Sequence, residues 1–271
     1  MLLKNVLSWI VLTNLFVAFC VVSLAMSTEL MIDSYNNKIS LFVFFSTIFV
    51  YNLQRIIRLK RNHNHSQKDW IKQNFSIIMI LVIISAVISS YLFFEFQLKT
   101  QILILFIGII SILYPFGLRE IPFIKIYVIA LVWMVTTVLL IIIENHIRIT
   151  QNIMLLLIGR FFFVLAITIP FDIRDLKYDH KHLKTIPIIF GKSKSILIAI
   201  FFLFIFLASS LHYYNNQLHL NLLVGTILTC VFILPLIIKS NEEKENFYFS
   251  FWVESVSIIL FLFLFVSSLM L

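Results

Sequence analysis

Charge is scarce in this sequence. Only 13% of its 271 residues are Asp, Glu, Lys or Arg, against 61% hydrophobic, so a water-soluble fold would lack the polar surface to cover itself and the bilayer must be the solvent. Glycine and proline are rare too, five of each. With no low-complexity tract either, this leaves little room for long linkers and predicts one membrane domain over 1–271 with short loops. The only two cysteines, Cys20 and Cys230, lie inside apolar stretches, which argues against a disulfide framework or a zinc cluster and reads both as buried apolar side chains. Phenylalanine, by contrast, is abundant at 29 residues, which suits lipid-facing and pocket-lining positions.

Apolar runs close to the ~20 residues needed to cross hydrocarbon fall at about 5–26, 39–57, 75–95, 100–117, 124–143, 151–171, 193–214, 219–238 and 249–270. They predict an all-α, polytopic bundle of about nine transmembrane helices. Only Phe96 to Lys99 separates the third run from the fourth, as in a tight antiparallel hairpin. The first run is longer than the roughly 7–15 apolar residues of a signal peptide and reads as an uncleaved span. If the N-terminus is cytoplasmic, 17 of the 21 Lys and Arg fall on the cytoplasmic side, as the positive-inside bias requires. The chain is then expected in a bacterial inner membrane with its C-terminus outside. Its +8 net charge belongs to membrane loops 2–3 and 6–7, and no nucleic-acid partner is expected.

Loop 6–7 opens with Phe171-Asp172-Ile173-Arg174-Asp175-Leu176-Lys177-Tyr178-Asp179, directly continuing an apolar run. At ~100° per residue, carboxylates at i, i+3 and i+7 lie within about 60° of one another on a helix. Such acids repel unless a cation lies between them, and hard oxygen ligands suit Mg²⁺, which takes one or two carboxylates together with phosphate oxygens. The alternative is a solvated helix end whose acids pair with Arg174, Lys177 and Lys181.

This stretch, with Leu183-Lys184-Thr185-Ile186-Pro187 and Phe190-Gly191-Lys192 after it, resembles the second aspartate-rich motif of the UbiA superfamily of membrane prenyltransferases. The resemblance implies a nine-helix bundle with acidic motifs at the cytoplasmic ends of the second and sixth helices, binding Mg²⁺ and an isoprenoid diphosphate. Asp172, Asp175 and Asp179 would be the metal-holding, catalytic acids. Tyr114-Pro115-Phe116-Gly117-Leu118-Arg119 and Lys125 resemble the family's tyrosine and basic contacts to the diphosphate. With Lys184, the residues Tyr114, Arg119 and Lys125 are therefore expected to bind substrate.

The second run departs from the family. If Asn52 matches the Asn of its Asn-Asp-x-x-Asp-x-x-x-Asp pattern, the acidic positions become Leu53, Ile56 and Lys60, and the whole segment from Tyr51 to Lys68 has no acid. Arg55 and Arg58 share a helix face, with Asn52 three residues before Arg55, giving a polar edge expected to point at the aspartates of span six. Guanidinium groups contact phosphate without a metal between, so Asn52, Arg55 and Arg58 are read as substrate-binding, although the same arginines would also serve as ordinary positive-inside anchors.

The sequence thus points to a membrane prenyltransferase acting on an isoprenoid diphosphate and an aromatic or lipid acceptor. A non-catalytic protein that binds a polyprenyl or lipid diphosphate is the alternative, and a transporter ranks last. His63-x-His65 and His180-x-His182 allow a transition-metal site or simply solvated loops. Arg160 and Glu254 are intramembrane charges that would pair with each other, unless Glu254 lies near the outer boundary or faces a wet cavity.

Overall fold

The computed structural model describes residues 2–60, 68–116, 121, 123–177, 184–217 and 220–269. Among them are eight helices long and apolar enough to cross a membrane, and one bent pair that reaches that length and apolarity only when its two helices are taken together. Helices dominate because hydrocarbon offers backbone amides no partner, so each span must satisfy its own. Spans two to nine run Asn37–Leu59, Phe75–Glu95, Leu98–Phe116, Ile124–Glu144, Gln151–Asp175, Ile186–Asn216, Leu220–Ile238 and Tyr248–Ser268. The chain is a multi-pass integral membrane protein.

Span six is the centre of the bundle, with 72% of its apolar window enclosed, whereas spans three and four are only 22% enclosed and form the lipid-facing edge. Phe163, Leu165, Ala166 and Ile169 of span six are wholly buried, while Ile83, Val87, Phe94, Ile102 and Phe106 face outward. Spans eight and nine touch backbone to backbone at Gly225, where a Cβ would lie 2.7 Å from the Phe263 carbonyl oxygen. Small residues permit such approach where no hydrophobic force drives helices together.

Two elements differ from the sequence reading. The first run is not one straight helix: Val6–Leu12 and Leu15–Met31 meet at 72°, and the longer helix begins at Leu15 rather than near residue 5. Asn14 takes a left-handed conformation at φ 63°, which Asn tolerates better than most residues. The bend survives in the bundle because side chains of span two reach the carbonyls it frees, as described below.

Span seven starts at Ile186, ahead of the expected 193, and is interrupted at Gly191 (φ 77°, ψ 164°). No atom lies within 4 Å of a Cβ built there, so the need for glycine is conformational and not spatial. That region of the backbone map is essentially glycine-only, and a side chain in it costs about 1–3 kcal/mol. Gly191→Ala is expected to lower stability by that amount, read from thermal unfolding of the purified protein; an unchanged midpoint would mean that the kink is not held in solution.

Candidate functional site

Span six ends Phe171-Asp172-Ile173-Arg174-Asp175, and on a helix i and i+3 share a face. Asp172 is 1% exposed and Asp175 is partly buried. From the start of span five, Lys125 reaches both, its Nζ lying 2.6 Å from Asp172 Oδ1 and 3.2 Å from Asp175 Oδ2. Arg174 holds the other Asp175 oxygen, with Nε and Nη2 each 2.8 Å from Oδ1. The Arg174 guanidinium also lies over the Phe171 and Phe249 rings, 5.2 and 5.8 Å from their centroids, a cation–π contact that fixes its orientation.

Loops 4–5 and 6–7 meet beside this cluster, where the Phe123 amide donates to the Lys184 carbonyl at 3.2 Å. Lys125, Asp172, Lys184 and Thr185 line one cavity with Ile121, Phe123, Ile126 and Ile186. Thr185 Oγ1 has no hydrogen-bond partner among the described residues though enclosed, an orphaned donor beside the charged groups. Asp172, Asp175, Lys125 and Lys184 are thus brought together. Arg119 and Asp179 lie outside the described residues, as do all four histidines of the two His-x-His pairs.

The donor set can be tested against Mg²⁺. An ammonium group already sits between the two carboxylates, so the pair is shaped for one cation, and two hard oxygen ligands suffice for an Mg²⁺ that takes its remaining ligands from water and phosphate. No group of three or more His, Cys, Asp or Glu converges among the described residues. What is present fits one Mg²⁺.

The polar edge of span two turns elsewhere than expected. Asn52 is wholly buried. Its Nδ2 donates to the Thr13 and Ile48 carbonyls at 3.1 and 2.9 Å, and its Oδ1 accepts from Asn14 Nδ2 at 2.9 Å. Arg55 donates from Nη1 to the Leu12 carbonyl and from Nη2 to Asn14 Oδ1, the latter at 2.8 Å. The expectation that Asn52 and Arg55 point at the aspartates is therefore corrected: both hold the break in span one. The physical reason is the helix end itself, whose freed carbonyls have no water to bond in the bilayer. Gln54 likewise donates to the Ser111 carbonyl of span four at 2.8 Å, and Tyr51 accepts from Trp133 Nε1 of span five at 3.1 Å. Tyr51 stands within electrostatic reach of Arg58, Tyr114 and Glu254.

Arg160 and Glu254 do not pair. Arg160 bonds to hydroxyls of span one, whereas Glu254, just after a π-helical turn at Tyr248–Val253, interacts electrostatically with Arg174 and Arg55. Phe249 of that turn packs on Phe171, ring centroids 6.2 Å apart, which keys span nine to the aspartate end of span six. π-Turns inside helices recur at functional sites. An acid within an apolar run was visible in the sequence, but its partners come from spans two and six.

A model of the UbiA prenyltransferase family matches residues 72–267. By sequence alone the chain matches no curated protein. Its fold is similar to that of a UbiA homolog from Archaeoglobus fulgidus bound to GPP and Mg²⁺, at TM-score 0.61 and 14% identity over 95% of this chain and 96% of the other. It also resembles the apo UbiA homolog of Aeropyrum pernix K1, at TM-score 0.68 and 12% identity, covering 93% and 98%. A digeranylgeranylglyceryl phosphate synthase is similar as well, at TM-score 0.59 and 15% identity over 99% and 100%. At these identities the likenesses show the fold.

Proposed function

The chain belongs to the UbiA prenyltransferase family, and from that premise we propose that it transfers a prenyl chain from an isoprenoid diphosphate to an aromatic or lipid acceptor. The observation that carries this reading is the convergence of Asp172 and Asp175 on one cation position, with Lys184 on the same cavity. Asp172, Asp175 and Asp179 would hold Mg²⁺, whose charge would neutralise diphosphate oxygens and ease departure of the leaving group. Lys184, Arg119 and Arg58 would bind and orient the diphosphate, with Tyr114 beside it, and Lys125, which stands at the cation position, would join them once displaced from the aspartates by Mg²⁺. Preorganised cations of this kind act where negative charge develops as the C–O bond breaks. The Phe- and Ile-rich interior would keep water from the allylic cation. Asn52 and Arg55 would act by position, holding span one against span two. The homologs bound to GPP or DMAPP with Mg²⁺ support the ligand class by analogy.

A second reading, a non-catalytic diphosphate-binding protein, is favoured by one observation: the segment from Tyr51 to Lys68 has no acid. Purified protein incubated with Mg²⁺, radiolabelled isoprenoid diphosphates and a panel of aromatic and lipid acceptors separates the two. Prenylated product supports the enzyme, while saturable binding without product supports the alternative. The aspartate end is proposed to face the cytoplasm, following the Lys and Arg distribution. A reporter enzyme fused after Lys192 and active only outside the cytoplasm would contradict that orientation.

A further inference from the structure

Towards the end of the bundle remote from the aspartates, a cavity of about 10 Å³ opens between spans one, six, seven, eight and nine, room for about one water-sized occupant. Arg160 of span six lines it and is 4% exposed. Its Nη2 donates to Ser27 Oγ at 2.7 Å and to Thr28 Oγ1 at 3.1 Å. Nη1 is enclosed and has no hydrogen-bond partner among the described residues.

Apart from Arg160, the described residues of the cavity wall are uncharged. They include Ser210, Tyr213, Tyr214 and Thr226 together with apolar side chains, and no acid. Two of its hydroxyls are already engaged: Tyr213 donates to the Met31 carbonyl at 2.9 Å, and Thr226 Oγ1 donates to Tyr214 Oη at 3.2 Å. Glu29, next to Thr28, is turned to other donors, accepting from the Asn36 amide at 3.1 Å and Ser40 Oγ at 3.2 Å. Arg160 is therefore a cation inside the bundle with hydroxyl partners, an unused N–H group and an adjoining space the size of one small ligand.

A guanidinium taken out of water is stabilised by counter-charge as well as by hydrogen-bond acceptors. A water in the cavity would supply only the second. We propose that Arg160 and this cavity form a binding site for a single halide-sized anion, chloride under cellular conditions, which locks spans one, six, seven and eight together. The site is independent of prenyl transfer and of the aspartate end.

The test uses the full-length protein in detergent at fixed ionic strength, unfolded thermally in potassium chloride, bromide or gluconate. Gluconate is too large for the cavity. Chloride and bromide are expected to raise the midpoint saturably by about 2–4 °C over gluconate, and Arg160→Gln is expected to remove that difference. Crystals grown in bromide should show anomalous density beside Arg160 Nη1, a measurement on the unaltered protein that stands even if the variant does not fold. Equal midpoints in all three salts, a halide effect retained in Arg160→Gln, or a bromide-free site occupied by water would each overturn the proposal.

Discussion

Replacing Lys125 with methionine is expected to lower the thermal midpoint by about 6–20 °C, and millimolar Mg²⁺ is expected to restore part of the loss. Lys125 is 8% exposed and stands between two carboxylates, one of them 1% exposed. Removing one partner of a buried ion pair leaves an uncompensated charge and costs about 3–5 kcal/mol, which at about 2–4 °C per kcal/mol gives the stated range. Asp175 retains Arg174 at 2.8 Å, so the penalty falls chiefly on Asp172. Methionine keeps an unbranched apolar stem like that of lysine, one atom shorter, and removes the charge. A divalent cation binding the vacated position stabilises the folded state by mass action. An unchanged midpoint would mean that the aspartates are hydrated and carry no pocket, and a loss that Mg²⁺ leaves untouched would mean that the position does not accept a divalent ion.

The second large effect concerns affinity. Asp172→Asn is expected to weaken Mg²⁺-dependent binding of geranyl diphosphate by a factor of about 30 to several thousand, equivalent to about 2–5 kcal/mol for truncating one member of a buried charged contact. The substitution keeps the shape of the side chain and removes the charge that would join cation to phosphate. Asp175→Asn is expected to act in the same direction and less strongly, because its carboxylate is more open and already shared with Arg174. A solvated aspartate that only pairs with a neighbouring lysine contributes little, so indifference of binding to both substitutions would assign the pair to the helix surface and not to a site.

Much of the frame was legible in the sequence because lipid imposes a single rule on it. A run of apolar residues must become a helix, and the run at 75–95 gives a helix over Phe75–Glu95. Runs four to six and eight coincide with helices to within a few residues. The rule fails where the backbone leaves the ideal helix. Asn14 lies within an apolar run, and its left-handed conformation is stabilised by Asn52 and Arg55 about forty residues away, a cause that no local pattern expresses. The early start of span seven depends in the same way on one backbone angle at Gly191.

The aspartates were readable as a face of one helix, and Lys125 and Lys184 entered through their resemblance to a family pattern. Their convergence depends on how loops 4–5 and 6–7 pack, which the structure shows through the Phe123 to Lys184 backbone hydrogen bond. Span two was legible in composition and not in direction. Arg55 and Arg58 share a face in sequence, yet the hydrogen bonds of Arg55 go to the broken first span, acceptors that no local pattern in the sequence announces. Glu254 was visible as an anomaly, and the partner expected for it was Arg160. The π-turn just before it, and its electrostatic interaction with Arg174 and Arg55, leave no mark in hydropathy.

The central claim is a diphosphate site built around one metal position on span six, with Arg58 of span two and the basic side chains of loops 4–5 and 6–7 in place of a second group of acids. Isothermal calorimetry of geranyl diphosphate binding to the purified protein, titrated at a series of Mg²⁺ concentrations, tests it most directly. The account predicts one Mg²⁺ taken up per diphosphate bound, with heat lost in the presence of a chelator and in Asp172→Asn. Two Mg²⁺ per ligand, or binding that persists unchanged without Mg²⁺, would contradict it.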